Sequence, residues 1–166
     1  MRPRVVRNQI GIFCMTKSDN LTEIGWREWI SLPDLGIDKL LAKVDTGAKT
    51  CALHSFYVDP FERDGEAWLH FGLHPLRKSA KKVVHCMARQ KDFREVRDSG
   101  GNVEKRYVIE TAIAMGKDVF ACEMTLTNRD SMRYRFLLGR NAIRLGYTVN
   151  PAMSCCLGRP SGNVNP

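Results

Sequence analysis

No run of roughly 18 apolar residues, the length a membrane-spanning helix needs, occurs in the sequence. Its six cysteines include no CxxC pair, and neither an HExxH helix motif nor a GxxxxGK[ST] loop is present. The usual signatures of a zinc ribbon, a helical zinc-protease site and an ATP-binding loop are therefore missing. There is also no RNP-type aromatic signature, helix-turn-helix spacing or zinc finger to support sequence-specific reading of nucleic acid. Acidic residues are the scarcer charge, 18 against 26 Lys and Arg, which leaves a formal net charge of +8.

What is present suits one ordinary soluble domain. The 166 residues are 43% hydrophobic, too rich and too evenly spread for a disordered chain. The basic N-terminus resembles the start of a signal peptide, but the apolar run Ile10 to Met15 is shorter than an h-region and no small-residue cleavage site follows. A cytoplasmic protein is expected, with free and mostly buried thiols. The adjacent Cys155 and Cys156 would face opposite ways if that segment were extended. Little periodicity marks residues 1–22, and Gly, Pro and Asn punctuate 159–166, so both ends read as tails around one domain over 23–158.

Within that domain the dominant period is two. Phe120, Cys122, Met124 and Leu126 form one face, and Tyr107, Ile109, Thr111, Ile113 and Met115 another, joined through Gly116-Lys-Asp118. Trp26 to Leu32 and Lys39 to Val44 read as a second hairpin around Pro33-Asp-Leu-Gly36. One short helix is expected, from Arg140 to Leu145 after Gly139. The fold class is mainly β, a small barrel or sandwich. Charge concentrates in residues 77–106, where ten Lys or Arg face four Asp or Glu. Such a run is either a solvated loop and hairpin or a surface for an acidic partner.

Chemistry enters at Leu40-Leu-Ala-Lys-Val-Asp-Thr-Gly-Ala48, an apolar strand running straight into a carboxylate. Ending a buried strand in Asp45 is costly unless that group has work to do or partners to satisfy it. In Asp-Thr-Gly, Gly47 permits a tight turn, Thr46 offers a hydroxyl to tie the loop, and Asp45 stands at the loop tip; the same tripeptide also makes a plain turn. About ninety residues later, Phe136-Leu-Leu-Gly-Arg-Asn-Ala-Ile143 supplies an apolar strand, a glycine and a helix start. Between them lies Phe93 to Tyr107, two extended arms around Ser99-Gly-Gly-Asn102, which reads equally as a mobile flap and as a simple hairpin turn.

Asp-Thr-Gly-Ala followed by two hydrophobics and Gly-Arg-Asn resembles the retropepsin-like aspartic peptidases. More narrowly, Ile24 to Ile37, Ala42 to Thr50, Leu126 to Asp130 and Leu137 to Arg140 are similar, in that order, to the bacterial RimB-like family, which also carries the label ATP-dependent zinc protease. The resemblance implies a small acid-protease barrel with one short C-terminal helix and a catalytic loop of Asp45, Thr46 and Gly47. Ala48, Lys49, Ser99, Gly100 and Gly101 would contact substrate. Leu137, Leu138, Gly139 and Arg140 would support the loop.

A chain with one Asp-Thr-Gly is too short for two lobes, so the resemblance implies a homodimer with Asp45 of each copy at the two-fold axis and Thr46 bonded across it. The two carboxylates would share a proton, one activating water and the other polarising the scissile carbonyl. Viral members carry acidic residues where this chain has Lys49 and Thr50, which suits an acidic peptide here. Relatives that occur with ligases adding glutamate to a ribosomal protein point to a glutamate-rich tail as substrate, and to a ribosomal protein or glutamate ligase as partner. No cofactor is implied by the residues. Of His54, His70, His74 and His85, His70 and His74 are four apart, but Leu69 to Leu73 reads as a strand, where that spacing makes no shared helical site, so the label's zinc finds no support in the sequence. The rival reading is a non-catalytic basic β module that binds a ribosome, RNA or a ligase, with Asp45 as a turn residue.

Overall fold

The computed structural model describes residues 20–76, 82–97, 100–128 and 133–159. Cys14, Ser99, Arg129, Asp130 and most of both expected tails lie outside these residues. Strands dominate, as the period-two pattern requires. In chain order they are β1 (Thr22–Ile24), β2 (Arg27–Leu32), β3 (Ile37–Val44), β4 (Cys51–His54), β5 (Tyr57–Arg63), β6 (Glu66–Leu73), β7 (Val84–Arg89), β8 (Asp92–Arg97), β9 (Val103–Met115), β10 (Asp118–Thr127), β11 (Phe136–Leu138) and β12 (Tyr147–Val149). A 3-10 turn, Pro33–Leu35, links β2 to β3, and the expected helix is the single turn α1, Arg140–Ile143.

Seven strands form one curled sheet in the order β10-β4-β11-β3-β2-β9-β8, with β9 also paired to β10. The return from β2 to β9 rests on one residue pair, Ser31 opposite Ala114. The mainly β expectation holds, but the sheet is curled upon itself rather than evenly closed as a barrel. Ile30, Leu40, Leu53, Ile109, Ile113, Met124 and Phe136 fill its interior. The inward positions of β9 and β10 are the ones the alternation selects, including Cys122, Met124 and Leu126.

The 13-residue β9 joins two hairpins. Its C-terminal part pairs with β10 from Met115 opposite Asp118, across the two-residue turn at Gly116, whose φ of 61° a glycine adopts without strain. Its N-terminal part pairs with β8, Arg97 opposite Val103. In a separate three-stranded sheet, β5-β6-β7, the strand expected at Leu69 to Leu73 is the end of β6, whereas β5, almost wholly solvent-facing, was not anticipated by the alternation. Parallel β1 and β12 tie the two ends of the described chain together. The segment at Cys155 is not extended: its φ of 55° is left-handed, and it turns back so that its N–H donates to the Arg27 carbonyl, 2.8 Å. No helix of the described residues is long and apolar enough to cross a membrane.

Candidate active site

Strand β11 lies between β3 and β4, parallel to the first and antiparallel to the second. Leu138 is opposite Val44, so Gly139 arrives beside Asp45, and the Asp45 N–H donates to the Leu138 carbonyl at 2.9 Å. Two segments about ninety residues apart in sequence therefore meet because of strand register.

Asp45 sits half-buried at the end of β3. Its Oδ1 accepts from the N–H groups of Gly47 (3.0 Å) and Ala48 (3.2 Å), which holds the loop in an Asx-type turn. Oδ2 has no partner among the described residues. Gly47 does not have a positive φ; a Cβ there would lie 3.3 Å from Asp45 Oδ1, so its role is to leave room for the carboxylate. Thr46 is exposed, and its hydroxyl makes no hydrogen bond with any described residue.

The Gly-Arg-Asn turn clamps this loop from its other side. Arg140 N–H donates to the Ala48 carbonyl (2.9 Å) and Asn141 N–H to the Lys49 carbonyl (3.0 Å). Arg140 Nη1 donates to the Thr46 and Gly47 carbonyls, each at 2.9 Å. The partner of this guanidinium is loop backbone rather than an acidic side chain, so Lys49 and Thr50 in place of carboxylates leave the clamp intact. Asn141 Oδ1 accepts from Cys51 N–H (3.1 Å) while its Nδ2 donates to the Glu123 carbonyl (2.8 Å), stitching α1 to β4 and β10. Only glycine fits at 139, because a Cβ would fall 2.5 Å from the Thr50 carbonyl carbon and 2.9 Å from Cys51 N.

Beneath the turn, Cys51 Sγ lies 3.9 Å from Cys122 Sγ and accepts from Gly139 N–H at 3.3 Å. The contact with Cys122, reinforced by burial, pushes the Cys51 thiol well above its ordinary pKa, so it stays protonated and inert.

Asp45, Thr46, Gly47, Ala48, Lys49, Leu138, Gly139 and Arg140 are thus gathered at one point, with Leu137 paired to Lys43 and Ala52 just below. Gly100 and Gly101 stand at the tip of the β8–β9 hairpin, where the φ of Gly101 is 86°; Ser99 lies outside the described residues. The histidines go elsewhere. His70 Nε2 and His85 Nδ1 both meet the Tyr57 hydroxyl, at 3.1 and 2.8 Å, His74 stacks on Phe56, and His54 is buried on β4. Among the described residues no group of three or more His, Cys, Asp and Glu side chains could hold a metal ion.

The sequence reading missed Glu28. This fully buried carboxylate accepts from three backbone N–H groups: Gly25 (2.7 Å) and Cys156 (2.8 Å) on Oε1, and Leu157 (3.2 Å) on Oε2. The available signal was an acid at an inward position of β2, in step with Ile30 and Leu32, where alternation demands an apolar side chain.

Proteins named "Probable alpha-L-glutamate ligase" are similar to this chain: that of Shewanella halifaxensis (strain HAW-EB4) is 45% identical over 142 residues, 86% of this chain and 31% of that protein. That of Desulfotalea psychrophila (strain LSv54 / DSM 12343) is 45% identical over 138 residues, 83% and 30% respectively. The chain thus spans about a third of the length of the curated relatives it matches. A crystal structure of Lpg0085, a protein of unknown function from Legionella pneumophila, superposes with a TM-score of 0.68 at 29% identity, covering 81% of this chain and 97% of that one. The family described as retropepsin-like aspartic endopeptidase RimB matches residues 23–160, the span that holds the clamped Asp-Thr-Gly loop, and this chain belongs to that RimB-like family.

Proposed function

We propose that the protein is a homodimeric aspartic endopeptidase that hydrolyses peptide bonds in a glutamate-rich substrate, using Asp45 from each of two copies. The observation that carries this reading is the state of the Asp45 loop. It is held rigidly from within its own chain by Arg140, Asn141 and Leu138, yet Asp45 Oδ2 and the Thr46 hydroxyl have no partner among the described residues. A second copy related by a two-fold axis would bring the same two groups to face them.

In that arrangement two carboxylates at ~3 Å cannot both ionise and hold one proton between them. The ionised Asp45 takes a proton from water as it attacks the scissile carbonyl carbon, while the protonated one donates to the carbonyl oxygen. The tetrahedral intermediate collapses when the leaving nitrogen is protonated and the C–N bond breaks. Lys49 beside the loop and the Gly100-Gly101 tip would bind the peptide. The acidic substrate class is supported by the +8 net charge and by relatives whose names refer to glutamate ligation, in which this domain is one part of a longer chain. A glutamate ligase or its glutamylated ribosomal-protein product is the partner this association favours.

The test is the solution mass at micromolar concentration of wild type and Asp45→Asn, with cleavage of a glutamate-rich peptide followed by mass spectrometry in the same samples. The expected result is twice the 18.9 kDa chain mass for both proteins and cleavage by the wild type alone. A monomer without cleavage overturns the reading and favours the basic binding module, in which Asp45 Oδ1 does no more than close its own turn.

A further inference from the structure

Four of the ten cations at residues 77–106 are held in ion pairs with carboxylates. Arg89 pairs with Glu66, Lys91 with Glu110 (2.5 Å) and Glu123 (3.2 Å), Arg94 with Asp92 (3.4 Å) and Glu123 (3.0 Å), and Arg106 with Glu104 (2.9 Å). These arms offer an acidic partner less free charge than the sequence suggests.

Unpaired positive charge also gathers around β3, where Lys82 of this run meets cations from other segments. Alternation along β3 sets Lys39, Leu41 and Lys43 on the same outward side as Asp45, and across the pair Trp29 faces Leu41 while Arg27 faces Lys43. Over this face opens a groove of about 630 Å³, which Arg27, Lys39, Lys82 and Arg159 line against a single carboxylate, Asp38. None of the four cations is ion-paired with a carboxylate among the described residues, and Lys39, Lys82 and Arg159 are exposed. At the floor, the Trp29 ring has the Lys39 ammonium 5.7 Å and the Arg159 guanidinium 5.3 Å from its centroid. The groove thus pairs an apolar floor with a rim of one charge sign, and its wall at Leu41 belongs to the strand that ends in the candidate catalytic carboxylate.

We infer that this groove binds an extended run of glutamate or aspartate side chains, holding the acidic stretch of a substrate away from the bond that Asp45 cleaves. The carboxylates meet Lys39, Lys82 and Arg159, and the side-chain methylenes lie on Trp29 and Leu41. From Lys39 to Lys43 the strand covers ~13 Å, the reach of about four extended residues. The groove's own lining, four cations against one carboxylate, calls for an anionic occupant. An acidic peptide is favoured over a nucleic acid because relatives that share this domain are named for glutamate ligation. The inference rests on the peptidase reading only in calling the peptide a substrate; binding itself does not require cleavage.

The test is fluorescence anisotropy of a labelled oligoglutamate peptide with the full chain carrying Asp45→Asn, at low and at raised salt. Lys39→Glu and Arg159→Glu are compared in that background, and circular dichroism verifies the fold of each. Each reversal is expected to raise Kd by about tenfold or more, whereas Lys105→Glu, on the exposed arm of β9, changes it by less than about twofold. The inference is overturned if the groove reversals leave Kd unmoved while the fold is kept, if only Lys105→Glu weakens binding, or if single-stranded RNA of equal charge binds the groove more tightly than the peptide. Failure of the wild type to cleave, with groove-dependent binding retained, would remove the peptidase reading and leave the groove; cleavage with groove-independent binding would do the reverse.

Discussion

Nη1 of Arg140 donates to the carbonyl oxygens of Thr46 and Gly47 at the same distance, 2.9 Å, so one nitrogen of the helix start fixes the peptide units that join Thr46 to Gly47 and Gly47 to Ala48. A charged donor shared between two neutral carbonyls is a stronger tie than a pair of ordinary backbone bonds. It acts on orientation, since the next two N–H groups, of Gly47 and Ala48, are the ones that hold Asp45 Oδ1.

Arg140→Ala is therefore expected to loosen the loop without dismantling the sheet. Unfolding in urea should show a loss of about 1 kcal/mol, small because the contacts are exposed. Peptide cleavage should fall by about tenfold or more, with the loss in kcat rather than KM, as expected when a catalytic group is misplaced but substrate contacts survive. An unchanged kcat would mean that the loop holds its shape without the guanidinium.

Much of this site is legible in the sequence because its two halves are each local. The Asp-Thr-Gly turn and the Gly-Arg-Asn turn carry their own backbone requirements, and Gly139 is required by the 2.5 Å approach a Cβ would make to Thr50. Strands β9 and β10 are legible for a similar reason, their inner faces being mostly apolar over ten residues or more. What escapes the sequence depends on partners far along the chain. The free charge of Lys91 and Arg94 disappears only when β8, β9 and β10 lie side by side and bring Glu110 and Glu123 into reach. Strand β5 escapes because a strand exposed on both sides has no hydrophobic period to show.

Glu28 exemplifies the long-range class, with acceptor oxygens that meet N–H groups 128 and 129 residues away. In Glu28→Gln one oxygen can keep the bonds from Gly25 and Cys156, but the amide NH2 then faces the Leu157 N–H, two donors without an acceptor between them. The cost of an unmet buried donor is about 1–3 kcal/mol. Urea unfolding should register that loss, and amide exchange at Cys156 and Leu157 should quicken more than exchange in β9 or β10. Uniform quickening across the sheet would instead mean that Glu28 supports the whole core rather than the C-terminal segment.

The ion pairs on the outer face give a pH signature with a definite sign. Arg94, followed by Lys91, holds the Glu123 carboxyl below its ordinary pKa, against the opposing effect of partial burial. The folded chain then stays ionised at a pH where the unfolded chain, with glutamate at about 4.3, has begun to bind a proton. The stabilisation from Glu123 is complete above that ordinary value and is lost as pH falls through the lowered one. Glu123→Gln should accordingly melt below wild type near neutral pH, and the gap should close on acidification through about pH 4 to 3. Lys91, raised chiefly by Glu110 and then by Glu123, keeps its charge throughout this range and does not oppose the trend. Thermal melts of the two proteins across the acid limb decide the matter, because parallel curves would show that Glu123 titrates alike in the folded and unfolded chains.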